Sequence, residues 1–282
     1  RALQPLRRLT VAVRELGATQ LDQRVEAEGD REIAELADSF NQMLERLERS
    51  FTQAARFSGD AAHELKTPLA ILQAQVERAM GDAEDGSPAQ AHFAGMLDEI
   101  QHLGTVVRKL LLLSLADAGR LRLNASAIDL TAELEEMVED ARMLAPQLTI
   151  TATIAEGLKM EADRDLLQQV LHNLLGNAIK YNIDNGWITI AARYKDRHVV
   201  ISVLNATHGL TAESRKRLFE RFYRGDSAHA ARADSAGLGL SLSREITRAH
   251  GGDLVLESSD PGIAQFSLRL PRVQFKNNLH SH

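Results

Sequence analysis

His63 is followed directly by Glu64, with Thr67 four residues on and Pro68 beside it, in the run Phe57-Ser58-Gly59-Asp60-Ala61-Ala62-His63-Glu64-Leu65-Lys66-Thr67-Pro68-Leu69. A neutral imidazole is a competent nucleophile near neutral pH, and a neighbouring carboxylate can take its proton as the new bond forms. Alone, such a pair is more often an exposed polar patch. A second cluster follows later in the chain: Leu171-His172-Asn173-Leu174-Leu175-Gly176-Asn177-Ala178-Ile179-Lys180-Tyr181. Asn173 and Asn177 are four apart and share one helix face. Their amide oxygens are neutral ligands that do not repel a nucleotide, and Mg²⁺ prefers oxygen donors while it bridges substrate phosphates. Two surface amides on an amphipathic helix are the plainer account.

A third segment reads Gly237-Leu238-Gly239-Leu240-Ser241-Leu242-Ser243. Glycines let a backbone approach phosphate, and a helix N-terminus presents free N–H groups and the positive end of its dipole. A lone G-x-G is also a simple helix start. Before it comes Phe219-Glu220-Arg221-Phe222-Tyr223-Arg224, then the small and polar stretch Ala228–Ala236, the composition of a mobile lid. Arg224 is the candidate to meet a γ-phosphate, where a guanidinium stabilises developing charge. Arg215, Arg217, Arg221 and Arg232 are assigned to solvating the lid.

The elements that carry these groups differ between the two parts of the chain. Leu6, Leu9 and Val13 form a short apolar seam that ends near Gly17. After a polar connector, Ile33, Leu36, Phe40, Met43 and Leu47 form a heptad seam. The second seam continues without a break toward Leu65, Leu69, Leu72 and Val76, which predicts one helix over 32–80. Gly81-Asp82-Ala83-Glu84-Asp85-Gly86-Ser87-Pro88 reads as a turn. A second amphipathic run follows from Phe93 to Leu111. Two antiparallel helices of this kind expose more apolar surface than they bury, which predicts a homodimeric four-helix bundle. After Gly119 strands are expected at Leu148–Ile154, Trp187–Tyr194, His198–Asn205, Asp253–Ser258 and Gln265–Leu270. Helices are expected at Thr131–Met143, Arg164–Lys180 and Leu238–His250, with Asp163 as N-cap of the middle one. That alternation predicts an α+β sandwich, one sheet with helices on one face.

Together these segments resemble the phosphoacceptor box, N box, F box and second glycine box of two-component sensor histidine kinases, over nearly the whole chain. The resemblance implies a multidomain protein. An all-α N-terminal part holds a HAMP-like relay (1–50) and a dimeric helical-hairpin phosphotransfer domain (51–119). An α+β sandwich ATP-binding domain of the GHKL or Bergerat type (120–273) follows, then a tail (274–282). A plain coiled-coil linker is the alternative to the HAMP relay. The implied activity is ATP-dependent autophosphorylation of His63, then transfer to an aspartate of a response-regulator receiver domain. In this scheme Glu64 is the general base, and Thr67 positions water for dephosphorylating the partner. Asn177 would ligate Mg²⁺, and Asn173 would act through phosphate or water. Lys180 and Tyr181 would contact nucleotide. Gly237, Leu238, Gly239 and Leu240 would form the phosphate cradle.

One box departs from the family pattern. The first glycine box normally reads D-x-G-x-G after a strand, but here it is Asn205-Ala206-Thr207-His208-Gly209. Asn205 would read adenine through its carbonyl, and Gly209 is the glycine that remains. A neutral acceptor forms the weaker bond, at a cost of about 1 kcal/mol or several-fold in affinity. Asn here also occurs in the heavy-metal-sensor branch of the family. The rivals are a degenerate kinase that acts as phosphatase or scaffold, an ATPase or chaperone sharing the nucleotide fold, and a purely structural dimeric coiled coil, against which the glycine-rich end of the chain argues.

Composition narrows the rest. A net charge of −6 argues against a general nucleic-acid binder. The absence of cysteine excludes disulfides and thiolate metal sites. No apolar run approaches the roughly 18 residues of a membrane span; the longest is Leu110–Leu113. The start at Arg1 suggests a fragment, with Arg1, Arg7 and Arg8 suited to the cytoplasmic end of a removed transmembrane helix; three arginines on a solvated helix are an equal account. The expectation is the cytoplasmic portion of an inner-membrane protein.

Overall fold

A computed structural model describes residues 31–224, 236–258 and 262–272. The first seam (Leu6, Leu9, Val13), the expected lid stretch Ala228–Ala236 apart from Ala236, and the tail (274–282) lie outside the described residues. So do the side chains of Ile33, Leu36, Phe40, Leu47 and His63. The chain divides into two compact units that meet between Leu121 and Arg122.

In the first unit, helix α1 (Arg31–Asp82) runs for 52 residues, roughly 78 Å at 1.5 Å per residue. It passes through Pro68 without interruption. The proline lacks an N–H, so the carbonyl of Glu64 has no intrahelical donor there. Gly86 N–H donates to Gln90 Oε1 at 2.8 Å, and the Ser87 hydroxyl caps Gln90 N–H at 3.2 Å. Pro88 then opens helix α2 (Pro88–Asp117), which folds back along α1. The apolar side chains buried among the described residues of this unit are Val76 and Leu113. Leu65, Ile71, Leu72, Met96 and Leu103 stay exposed in the single chain. Lys109 is half buried on α2, and that burial pushes its ammonium pKa down.

The second unit contains β1 (Ser126–Asp129), α3 (Leu130–Leu144), β2 (Thr149–Ile154), β3 (Lys159–Ala162), α4 (Arg164–Lys180), β4 (Trp187–Lys195) and β5 (His198–Ala206). It continues with α5 (Ala212–Arg217), α6 (Gly239–Ala249), β6 (Asp253–Ser258) and β7 (Ile263–Pro271). Five strands form one sheet in the order β2-β4-β5-β7-β6, with β2 and β4 parallel and the other pairs antiparallel. Alternation puts one buried rank on one face: Ile150 pairs with Ile188, Ile188 with Asn205, and Asn205 with Ala264. Ile190, Val203 and Phe266 form the next rank. Helix α3 lies against β2, α4 against β5, and α6 against β6 and β7. Helix α4 buries Leu167, Val170, Leu171, Leu174, Leu175 and Ala178, the spacing of a single helical stripe.

The sequence reading did not include three features. β1 and β3 pair antiparallel as a separate two-stranded ribbon, β2 joins the sheet in parallel, and α5 forms a short helix. Four-residue strands are too short to show a period of two. No described helix is long and apolar enough to cross a membrane.

Candidate functional site

Helices α4 and α6 are antiparallel neighbours clamped at both ends. At one end, Asp163 caps α4 through Oδ1 to Leu166 N–H at 3.1 Å. Its own N–H donates to His250 Nε2 at 3.1 Å, and His250 Nδ1 lies 2.8 Å from the Ile246 carbonyl. At the other end, Asn173 Nδ2 donates to Ser243 Oγ at 2.9 Å. A Cβ at Gly239 would stand 2.1 Å from Asn173 Oδ1. Only glycine leaves room there for the amide.

The turn before α6 is built on a second close approach. Gly237 has φ +66°, and a Cβ there would meet the carbonyl carbon of Phe222 and the carbonyl oxygen of Tyr223 at 2.8 Å. Phe222 itself has φ +60°, rare for a side chain of its size, and is 61% exposed. Its neighbours anchor this segment. Phe219 packs edge-on against Phe266, with Arg244 stacked 4.8 Å over its ring. Tyr223 donates its hydroxyl to Ser214 Oγ at 2.9 Å, and Arg217 lies over the Tyr223 ring at 4.6 Å. Glu220 hydrogen-bonds Arg217 and raises its pKa further. Arg224 follows, half buried.

The first turn of α6 lacks a side-chain cap: Leu238, at the N-cap position, makes no such bond. The N–H groups at this end therefore lack a capping acceptor of the kind that closes α3 and α4. Leu238 is buried and Leu240 half buried. Asn177 sits half buried one turn beyond Asn173 on the same face of α4. At the end of that helix, Lys180 Nζ lies 5.7 Å from the centre of the Tyr181 ring. Asn182 ties the exit of α4 to the sheet by donating to the carbonyls of Ala178 and Trp187 at 3.0 and 3.1 Å.

On β5, Asn205 is 3% exposed and belongs to the buried rank of the sheet. Its Nδ2 donates to the Ala206 carbonyl at 2.8 Å, which leaves Oδ1 as the atom suited to accept from a ligand. Thr207 is buried and its N–H bonds to the Gly262 carbonyl at 3.0 Å. Gly209 is exposed with φ +99°.

The structure thus joins Asn173, Gly237 and Gly239 to Phe222 and Tyr223 in one neighbourhood. His63, Glu64 and Thr67 belong to α1 in the other unit, with Glu64 and Thr67 exposed. Ser243 was missed by the sequence reading. The available signal was a buried hydroxyl four residues after Gly239, on the same face of α6. A separate cavity of about 180 Å³, lined by Glu133, Asp140, Arg164 and Gln168 among others, borders the opposite face of α4 and shares none of these residues.

Three family models match the chain in succession: the HAMP domain over 1–49, the His Kinase A (phospho-acceptor) domain over 53–119, and the histidine kinase-, DNA gyrase B- and HSP90-like ATPase over 162–274. The chain is 36% identical over 269 residues to the probable sensor protein PcoS of Escherichia coli, covering 95% of this chain and 58% of that one. It is 30% identical to the sensor protein CzcS of Cupriavidus metallidurans, covering 96% and 57%. It therefore spans somewhat more than half the length of these curated relatives. Full-length ShkA, crystallised with AMPPNP, matches in fold with a TM-score of 0.64 at 23% identity, covering 78% of this chain and 46% of that one. With all three modules in this order and relatives that match along 95% of this chain or more, the chain belongs to the sensor histidine kinase family.

Proposed function

We propose that this chain binds Mg-ATP in the second unit and transfers its γ-phosphoryl group to His63. An aspartate of a response-regulator receiver domain would then receive the group. The observation that carries the nucleotide half is the meeting of α4 with the glycine turn. Asn173 Oδ1 occupies the space that any Cβ at Gly239 would fill, beside an uncapped helix N-terminus. Such an end, with a glycine-lined approach, suits phosphate.

The residues present fit the metal as well. Asn177 and Asn173 offer neutral amide oxygens on one face, the donor chemistry Mg²⁺ accepts beside phosphates. When bound there, the ion would neutralise phosphate charge. Lys180 supplies a cation to phosphate and Tyr181 an aromatic wall. Asn205 accepts from the adenine amino group through Oδ1, and Gly209 lets the following loop turn. Gly237, Leu238, Gly239 and Leu240 present backbone N–H groups, and Arg224 stabilises charge on the transferred group.

At the acceptor, the neutral His63 ring attacks phosphorus. An N–P bond forms as the bond to the ADP oxygen breaks, and the ring proton passes to Glu64. Thr67, exposed one turn on, orients water when the regulator is dephosphorylated. The exposed apolar face of the hairpin supports a homodimer, since a second copy would bury it as a four-helix bundle. Attachment to a membrane would run through a segment beyond this sequence.

Incubation with labelled ATP and Mg²⁺ tests the proposal. The expected label is acid-labile and alkali-stable and is lost in His63→Gln. Steady ATP turnover indifferent to that substitution would mark an ATPase instead. No label, with regulator dephosphorylation intact, would mark a phosphatase.

A further inference from the structure

Ser243 ends the glycine segment quoted above without a role assigned there, yet it is 2% exposed and bonded to a residue 70 positions away, Asn173. A terminal amide torsion is broad, so an Asn side chain in open solvent samples many orientations of its plane. Here two features of α6 remove that freedom. The Ser243 hydroxyl takes Nδ2 at 2.9 Å, and the missing Cβ of Gly239 makes the berth for Oδ1. Gly239 and Ser243 are four apart and act from one face of the helix. Ser243 is itself held within α6, where its carbonyl accepts the Thr247 hydroxyl at 2.6 Å.

We propose that Ser243 is a positioning residue for Mg-ATP: its hydroxyl holds the Asn173 amide over the first turn of α6 before nucleotide arrives. The role rests on the nucleotide-site reading above and deepens it. A side chain already ordered in the free protein need not be ordered on binding, so removing the hydroxyl weakens binding by the worth of one hydrogen bond, about fivefold.

The test is a double-mutant cycle on the whole chain, with Mg-ATP affinity measured by titration calorimetry and melting temperature measured without nucleotide. Ser243→Ala is expected to bind about fivefold more weakly, and Ser243→Thr, which restores the hydroxyl, to recover most of the loss. Asn173→Ala should weaken binding at least as much, and adding Ser243→Ala to it should change nothing further. A strut that merely joined two helices would lower the melting temperature and leave affinity at wild-type level. That result, or losses that multiply in the double variant, overturns the positioning role alone. If Ser243→Ala fails to fold, Ser243→Cys, similar in size with a weak donor, runs the same cycle. A wild-type chain that does not bind Mg-ATP overturns the nucleotide reading and this role together.

Discussion

The helical hairpin and the sandwich solve the burial problem in opposite ways. In the sandwich, Leu130, Leu134, Leu174, Ile188, Ile190 and Ile246 are fully buried within one chain. In the hairpin, Ile71 is 54% and Leu72 47% exposed, although both helices are long. Two helices side by side share one stripe of contact, and the rest of each apolar face stays open until another surface covers it. A sheet with helices packed on it closes its own core. The proposed chemistry divides along the same line: the sandwich holds a preassembled constellation of glycines and amides, and the hairpin carries the proposed acceptor, His63, on a helix. One unit closes its core alone; the other leaves large apolar side chains exposed in the single chain.

The largest effects should separate those two roles. His63→Gln is expected to abolish phosphoryl labelling, by at least ~100-fold or ~2.7 kcal/mol of barrier, while Mg-ATP affinity stays at the wild-type level. Asn177→Asp is expected to lose both, because a carboxylate replaces the neutral donor beside phosphate. Labelling with parallel calorimetry checks both, and a His63 variant that also loses nucleotide would break the division.

The same truncation in the two units should read differently. Leu174→Ala, at a site 1% exposed, is expected to destabilise the sandwich by about 2–5 kcal/mol, seen in chemical denaturation. Leu103→Ala, at a site 44% exposed, should barely change the fold of one hairpin but weaken its self-association by ~1.5 kcal/mol or more per copy. Sedimentation across a concentration series checks the second expectation. A sandwich transition that shifts with protein concentration would contradict its self-sufficiency.

The smallest effects are pH-dependent and fall in different windows. Arg269 donates to Glu257 at 2.6 Å and holds its carboxyl below the usual range. A depressed folded value stabilises above the unfolded pKa of about 4.5 and ceases to do so as pH falls through the folded one. Both groups are substantially exposed, so Glu257→Gln should cost the sandwich ~0.5 kcal/mol or less at neutral pH and nothing in acid. In the hairpin, burial lowers Lys109, so the unfolded chain binds more protons between the folded value and 10.5. Hairpin stability therefore rises with pH across that alkaline window, and Lys109→Met should flatten the rise in thermal melts.

Much of the architecture was legible because it is periodic. The expected helix over Arg164–Lys180 matches the observed one, Asp163 caps it, and Asp253–Ser258 is a strand as expected. The long helix extends only slightly past its expected ends. The ribbon of β1 and β3 was not legible. Each strand has four residues, and their pairing spans thirty positions or more, so neither carries a local pattern. The site divides in the same way. Asn173, Asn177, Gly237 and Gly239 stood out by residue type and spacing.

Sequence alone marked which residues are candidates for chemistry and where the long helices and strands lie, because residue type and apolar spacing are properties of neighbours along the chain. Only the tertiary structure decided that β2 runs parallel to β4, that the Phe222–Tyr223 backbone leaves no room for a Cβ at Gly237, and that Ser243 holds Asn173. Those facts depend on distances between atoms far apart in the chain. Close packing, which leaves a glycine its berth and a buried hydroxyl its partner, sets such distances only once the whole core has formed.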